Sequence, residues 1–289
     1  MRKLISLDEN WTLSFPKGER LAEKVTLPHT WNAVDGMDGN GSYLRTTGVY
    51  RCTFLKPEQP LEGGRVYVEV LAAALAAVVK VNGTVAVTHE GGFSAFRADI
   101  TDLCKEGNNE MTIEVSNEDT PSMYPASADF TFYGGLYRGV NLISVPHTHF
   151  DLDYYGGSGI KVTPKPTEDG GATFEIESFV TNQEDCFTVM YSIEDACGCE
   201  VAAAVRPADD TAVTIYVPDA KLWSMDEPNL YTVVARLQKN NETYDEIHVN
   251  TGVRSYSVTP DGGFFINNKA VSLRGVSRHQ DRLYKGNAL

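Results

Sequence analysis

Val78-Val79-Lys80-Val81-Asn82-Gly83-Thr84-Val85-Ala86-Val87 reads as two short apolar runs joined by a two-residue turn. β-Branched side chains pack well on a pleated surface, and Asn-Gly adopts the positive φ angles that a tight hairpin requires. A period of two recurs in Arg65-Val66-Tyr67-Val68-Glu69-Val70, in Glu110-Met111-Thr112-Ile113-Glu114-Val115 and in Thr173-Phe174-Glu175-Ile176-Glu177. Every second side chain of such a run can face a core. Leu71 to Ala77 is rich in alanine, which favours helix, but it is short and lies between strands, so it is read as strand. Many short strands separated by Gly, Pro, Asn and Asp turns, with no regular alternation of strand and helix, predict antiparallel sandwiches, so the expected fold class is all-β.

The composition breaks around Pro146-His147-Thr148-His149, which sets a first sandwich over residues 1–147. A second strand-rich block, 148–255, has a length near the ~100 residues of an immunoglobulin-like sandwich, without the antibody Cys…Trp…Cys pattern. The last stretch changes character. Gly262 to Lys269 reads as turn, strand and turn, and Val271 to Val276 as an apolar strand leading into His, Gln, Asp and Arg. In barrel enzymes, polar residues just beyond a strand's carboxyl end build the active site. One strand cannot close a core, so 256–289 is read as the truncated start of a third domain. Residues 258–289 are expected to be mobile, or ordered by docking on a second copy through their strand edges, which makes a homo-oligomer an expectation.

The chain has 289 residues, 42% hydrophobic and 22% charged, enough for two cores. A net charge of −14 without Lys/Arg runs argues against nucleic acid, whose phosphates need clustered cations. Five cysteines, an odd count in a large chain, do not form a disulfide framework, and Cys197-Gly198-Cys199 has no second pair to complete a zinc set. The start, MRKLISLDENW, is too short in apolar residues for a signal peptide, and no run approaches the roughly 20 needed to span a membrane. The expected compartment is cytoplasmic, with neither membrane nor nucleic acid as partner.

Five blocks in order carry a family resemblance: LPHTWN (Leu27 to Asn32), VNGTVAVTHEGGFSAFRADIT (Val81 to Thr101), DFTFYGGLYRGVNLI (Asp129 to Ile143), LWSMDEPNLYTV (Leu222 to Val233) and FFINNKAVSLRGVSRHQDRLYKGNAL (Phe264 to Leu289). Together they resemble the front end of family 2 glycoside hydrolases, the β-galactosidases above all. The resemblance implies a jelly-roll sugar-binding domain, an immunoglobulin-like domain and the entry to a (β/α)8 barrel. It implies a retaining enzyme acting on terminal β-galactosides, a carbohydrate substrate; a β-glucuronidase front end and a standalone carbohydrate-binding module are the alternatives.

Retention needs two carboxyl groups about 5 Å apart. The resemblance places both, as glutamates, deep in the barrel and beyond Leu289, so no catalytic residue is expected here and the chain alone is expected to be inactive. Asn117-Glu118 and Asn241-Glu242 copy the family's acid/base dipeptide, and both are read as decoys, the second in a Lys239-Asn240-Asn241-Glu242 hairpin turn. Asp129 matches the family aspartate that reaches a galactosyl hydroxyl and supports a sodium ion; a carboxylate can accept from hydroxyls or coordinate a hard cation. His279 matches a histidine contacting the substrate, and Asn40 an asparagine that touches it. No cofactor is expected in this chain, with sodium or magnesium open for the full-length enzyme. Arg278 and Asp281 are expected in ion pairs holding the loop, Arg138 in a buried ion pair, and His29 and Trp31 in the core or at a domain seam.

Overall fold

The alternating runs become strands throughout the computed structural model, which describes residues 1–39, 41–58, 63–119, 130–182, 184 and 186–289. Two compact units emerge. One joins Lys3–Ser144 to Arg278–Leu289, and the other joins Met1–Arg2 to Val145–Ser277.

In the first unit the strands are β1 (Lys3–Ser6), β2 (Trp11–Ser14), β3 (Glu23–Val25), β4 (Thr47–Leu55), β5 (Arg65–Val70), β6 (Ala76–Val81), β7 (Thr84–Glu90), β8 (Phe96–Asp99), β9 (Asn108–Ser116) and β10 (Val140–Val145). They form two antiparallel sheets, in the orders β3-β2-β4-β9-β6-β7 and β1-β10-β5-β8. Their alternate side chains, among them Trp11, Leu13, Tyr50, Val66, Val79 and Ile113, are fully buried in one core. Each such side chain contributes roughly 1.5–3 kcal/mol by leaving water. The hairpin forms as expected: Val81 pairs with Thr84 across Asn82 (φ 50°) and Gly83 (φ 83°). Leu71 to Ala77 differs from the continuous strand expected. β5 and β6 belong to different sheets, and the residues between them carry the chain across. Ala72, Ala73 and Ala74 are buried in that crossing, where small side chains leave room for the backbone.

The second unit contains β11 (His149–Phe150), β12 (Ile160–Pro166), β13 (Ala172–Ser178), β14 (Val180–Thr181), β15 (Thr188–Glu194), β16 (Glu200–Pro207), β17 (Ala212–Val217), β18 (Tyr231–Lys239), β19 (Glu242–Thr251), β20 (Tyr256–Thr259), β21 (Gly263–Ile266) and β22 (Lys269–Val271). Sheets β12-β13-β17 and β16-β15-β18-β19 enclose Phe174, Tyr191, Val233 and Leu237, while β11-β14 and β20-β21-β22 form smaller sheets. Asn240 and Asn241, both at positive φ, turn β18 into β19 with Lys239 opposite Glu242, so the second Asn-Glu dipeptide is a hairpin turn. The chain start is pinned by the buried Asp245, which accepts from the Arg2 guanidinium at 2.8 and 3.2 Å and from the Phe150 N–H at 3.0 Å.

The apolar strand expected over Val271 to Val276 is not formed. Only Val271 pairs, with Phe264, and residues 272–281 have no regular structure; Leu273 and Val276 are exposed, with no sheet to receive them. All five cysteines are free. Burial pushes the Cys52 thiol up to about 12 and the half-buried Cys104 to about 11, while Cys186, Cys197 and Cys199 are exposed. Asp195 Oδ1 accepts from the Cys197 and Cys199 N–H groups, so the Cys-Gly-Cys stretch is an ordered hairpin tip between β15 and β16.

Candidate functional site

The segment Phe130 to Tyr137 lies against the first core with little freedom. Gly134 sits flush against the indole of Trp31: a Cβ there would stand 2.0 Å from Trp31 Cζ2. Its N–H donates to Asn32 Oδ1 at 2.8 Å, and its carbonyl accepts from Trp31 N and Thr30 Oγ1. Only a residue without a side chain allows this approach while keeping those bonds.

Beneath it lies a buried amide hub. Asn117 Oδ1 accepts from Thr46 N at 2.8 Å, and its Nδ2 donates to Asn32 Oδ1, Leu44 O and Phe132 O at 2.9–3.2 Å. Asn32 Nδ2 in turn donates to Asp35 Oδ1 and Leu44 O. Asp35 Oδ2 accepts from Leu44 N at 3.0 Å and from Arg20 at 2.6 Å. Both asparagines are fully buried. Buried amides are stabilising only when their donors and acceptors are matched, so this hub fixes residues 32–35, 44–46 and 132–134 relative to each other. The hub joins residues far apart in sequence: Asn117 is buried within it, and the neighbouring Glu118 is paired with Lys17 at 2.5 Å on the surface.

Asn40 and Asp129 lie outside the described residues. The residues that the hub holds, 32–35 and 44–46, lie on either side of Asn40 in the sequence, and Phe130 follows Asp129. His279 is described and is exposed, in the irregular stretch before the last turn of the chain. Asp281 accepts from the Tyr133 hydroxyl at 2.9 Å, so it is anchored by a hydrogen bond from the first unit's own signature segment where an ion pair was expected. Arg138 departs from the buried ion pair expected of it. It is exposed, with its guanidinium 5.4 Å from the Tyr137 ring centroid in a cation–π contact, and it donates to Phe93 O. Trp31 is buried in the first core, and His29 lies beside it with Nδ1 2.9 Å from the Tyr50 hydroxyl. Among the described residues, no group of three or more His, Cys, Asp or Glu is arranged to hold a metal.

Asn32, Asp35 and Asn117 were not singled out as a unit by sequence reasoning. One signal was present: Asn117 continues the inward parity of Met111, Ile113 and Val115, and a polar residue at a core position must find buried partners. What the described residues supply is a buried amide network that ties 32–35 and 44–46 to 132–134, and an exposed histidine at 279.

Residues 3–146 match the model of the sugar binding domain of glycosyl hydrolases family 2, and residues 158–254 match a second family 2 model. The chain is 30% identical to a β-glucuronidase of Bacteroides fragilis, covering 100% of this chain and 43% of that protein. It is 29% identical to a β-galactosidase of Thermoanaerobacter pseudethanolicus, covering 98% of this chain and 38% of the other. Among solved structures it is similar to an FMN-binding β-glucuronidase from Facaelibacterium prausnitzii L2-6, with a TM-score of 0.98 and 83% identity over 100% of this chain and 45% of that one. The chain thus spans less than half the length of these relatives. It belongs to glycosyl hydrolases family 2, of which it carries the sugar binding domain and the β-sandwich that follows.

Proposed function

We propose that the full-length protein is a retaining β-glucuronidase, and that this chain supplies walls of its substrate pocket, the reacting carboxylates belonging to the barrel that the family resemblance implies. The observation that carries this reading is the 83% identity, over the whole chain, to a structure described as a β-glucuronidase. The sequence reading put β-galactosides first and β-glucuronides second; the relatives favour the second, and the Thermoanaerobacter enzyme keeps galactosides as the competing substrate. On this reading Asp129, His279 and Asn40 contact sugar hydroxyls, and Asp129 also supports a sodium or magnesium ion. An ionised aspartate accepts from hydroxyls and repels a glucuronate carboxylate, so Asp129 belongs on the hydroxyl side of the ring.

The test is hydrolysis of p-nitrophenyl β-glucuronide and β-galactoside by the full-length enzyme. Glucuronide is expected to be preferred by at least about 100-fold in kcat/KM, because a site built for a charged partner leaves buried groups unpaired with the wrong sugar. The 289-residue chain alone is expected to turn over neither. A preference for galactoside returns the assignment to the first reading.

Flavin mononucleotide, named for the Facaelibacterium enzyme, is carried over as a ligand of the full-length protein. In the second unit a cavity of about 740 Å3 brings Lys221, Lys269 and Arg274 together with Leu222, Met225 and Ile266. Cations and an apolar wall suit a phosphate and a flavin ring, with Asp226 and Glu227 as opposing charges on the same lining. The same preparation, titrated with FMN, should raise the flavin's fluorescence anisotropy; a flat titration removes FMN from the proposal.

A further inference from the structure

Residues 278–289 belong to the first unit, and they are held there by successive anchors. Asp281 accepts from the Tyr133 hydroxyl at 2.9 Å. The chain then closes a tight turn, Arg282 N donating to Gly286 O at 2.9 Å and Gly286 N to Arg282 O at 2.7 Å, while Tyr284 N donates to Ala33 O at 3.1 Å. Gly286 (φ 54°) is seated on the first unit with no space to spare: a Cβ would stand 2.7 Å from both Thr30 Cγ2 and Tyr133 Cε1. Ala288 is buried in a cluster with Ala72, Ala74, Leu75 and Phe132.

These anchors engage the residues that position the signature segment. Tyr133 immediately precedes Gly134, which Trp31 and Asn32 clamp. Burial and the Asp281 carboxylate push the Tyr133 phenol to about 12, so it remains a proton donor throughout the neutral range. His279 lies two residues before Asp281. Two residues of chain span at most about 7 Å, so an anchored Asp281 confines the otherwise exposed His279 to a small volume beside the signature segment. Without the Asp281 anchor, the irregular stretch that carries His279 would be held on its C-terminal side only from Tyr284 onward.

We infer that Tyr133, Asp281 and Gly286 form a latch, and that Tyr133 and Asp281 are positioning residues that act through His279 on the substrate pocket. The inference rests on the proposed glycosidase reading for its effect on turnover, and on geometry alone for the latch itself.

The experiment has two arms. In the full-length enzyme, Tyr133→Phe and Asp281→Ala should each lower kcat/KM about five- to tenfold, yet less than about twofold when introduced into a His279→Ala background. Asp281→Asn, whose amide oxygen still accepts, should restore most of the loss. In the 289-residue chain, Tyr133→Phe should speed amide exchange across 278–289 while leaving β4 and β9 unchanged. Equal losses with and without His279, or exchange unchanged by Tyr133→Phe, overturn the latch. An enzyme that cleaves neither glucuronide nor galactoside overturns the functional reading instead, and the exchange arm then decides the latch by itself.

Discussion

A histidine walled off from water resists protonation, and His29 shows what this does to stability. Burial holds its pKa at about 4 against an ordinary value of 6.5. Between those values the unfolded chain takes up a proton that the folded chain refuses, so the stability it contributes is complete above pH 6.5 and is lost as pH falls towards 4. The loss is up to about 3 kcal/mol. Urea midpoints of the first unit should therefore fall between pH 7 and pH 4.5, and His29→Gln should flatten that dependence; an unaltered profile in the variant would count against His29 as the titrating group. His149, buried in the second unit and likewise lowered, acts in the same direction. The single residues legible in the sequence were those whose role is local, such as the positive-φ asparagines of the turns. Asn117 was legible only as a non-catalytic residue. Its partners Thr46, Asn32 and Phe132 lie 15 to 85 positions away, and no local pattern names them.

Among the elements, the Asn82-Gly83 and Asn240-Asn241 hairpins followed directly from turn chemistry, because two residues at positive φ suffice to specify them. The two segments that departed from expectation lacked such a local determinant. Leu71 to Ala77 changes sheet, and Val271 to Val276 finds no neighbouring strand; both outcomes depend on what the rest of the fold offers. The signature segment is the element most sensitive to a small change. Gly134→Ala would drive a methyl into Trp31, while the hydrogen bonds to Asn32, Thr30 and Trp31 prevent the backbone from retreating. We expect a loss of about 2–3 kcal/mol or more, read from the unfolding midpoint. Pairing it with Trp31→Leu should give less than the sum of the two single losses, since the clash is removed. Strict additivity would mean that Gly134 and Trp31 do not meet in this way.

At the scale of the whole molecule, two cores and an all-β architecture were legible because alternation, turn residues and the break near Pro146 report them locally. The attachment of the last residues to the first unit was not. It depends on Ala33 meeting Tyr284 and Thr30 meeting Gly286, contacts between opposite ends of the sequence that no periodicity encodes. The distribution of the cysteines over the two units has a practical consequence. In the first unit Cys52 is buried and Cys104 half-buried, and burial raises both thiols, whereas Cys186, Cys197 and Cys199, in the second, are exposed. Nucleophilic attack requires the thiolate, which a raised pKa suppresses. At neutral pH the folded chain should therefore titrate three fast thiols with an aromatic disulfide reagent, Cys104 more slowly, and Cys52 only on unfolding; five fast thiols would show that the first core admits the reagent. A maleimide dye or surface tether applied briefly will accordingly attach first to the second unit, leaving the sugar binding domain available for ligand measurements.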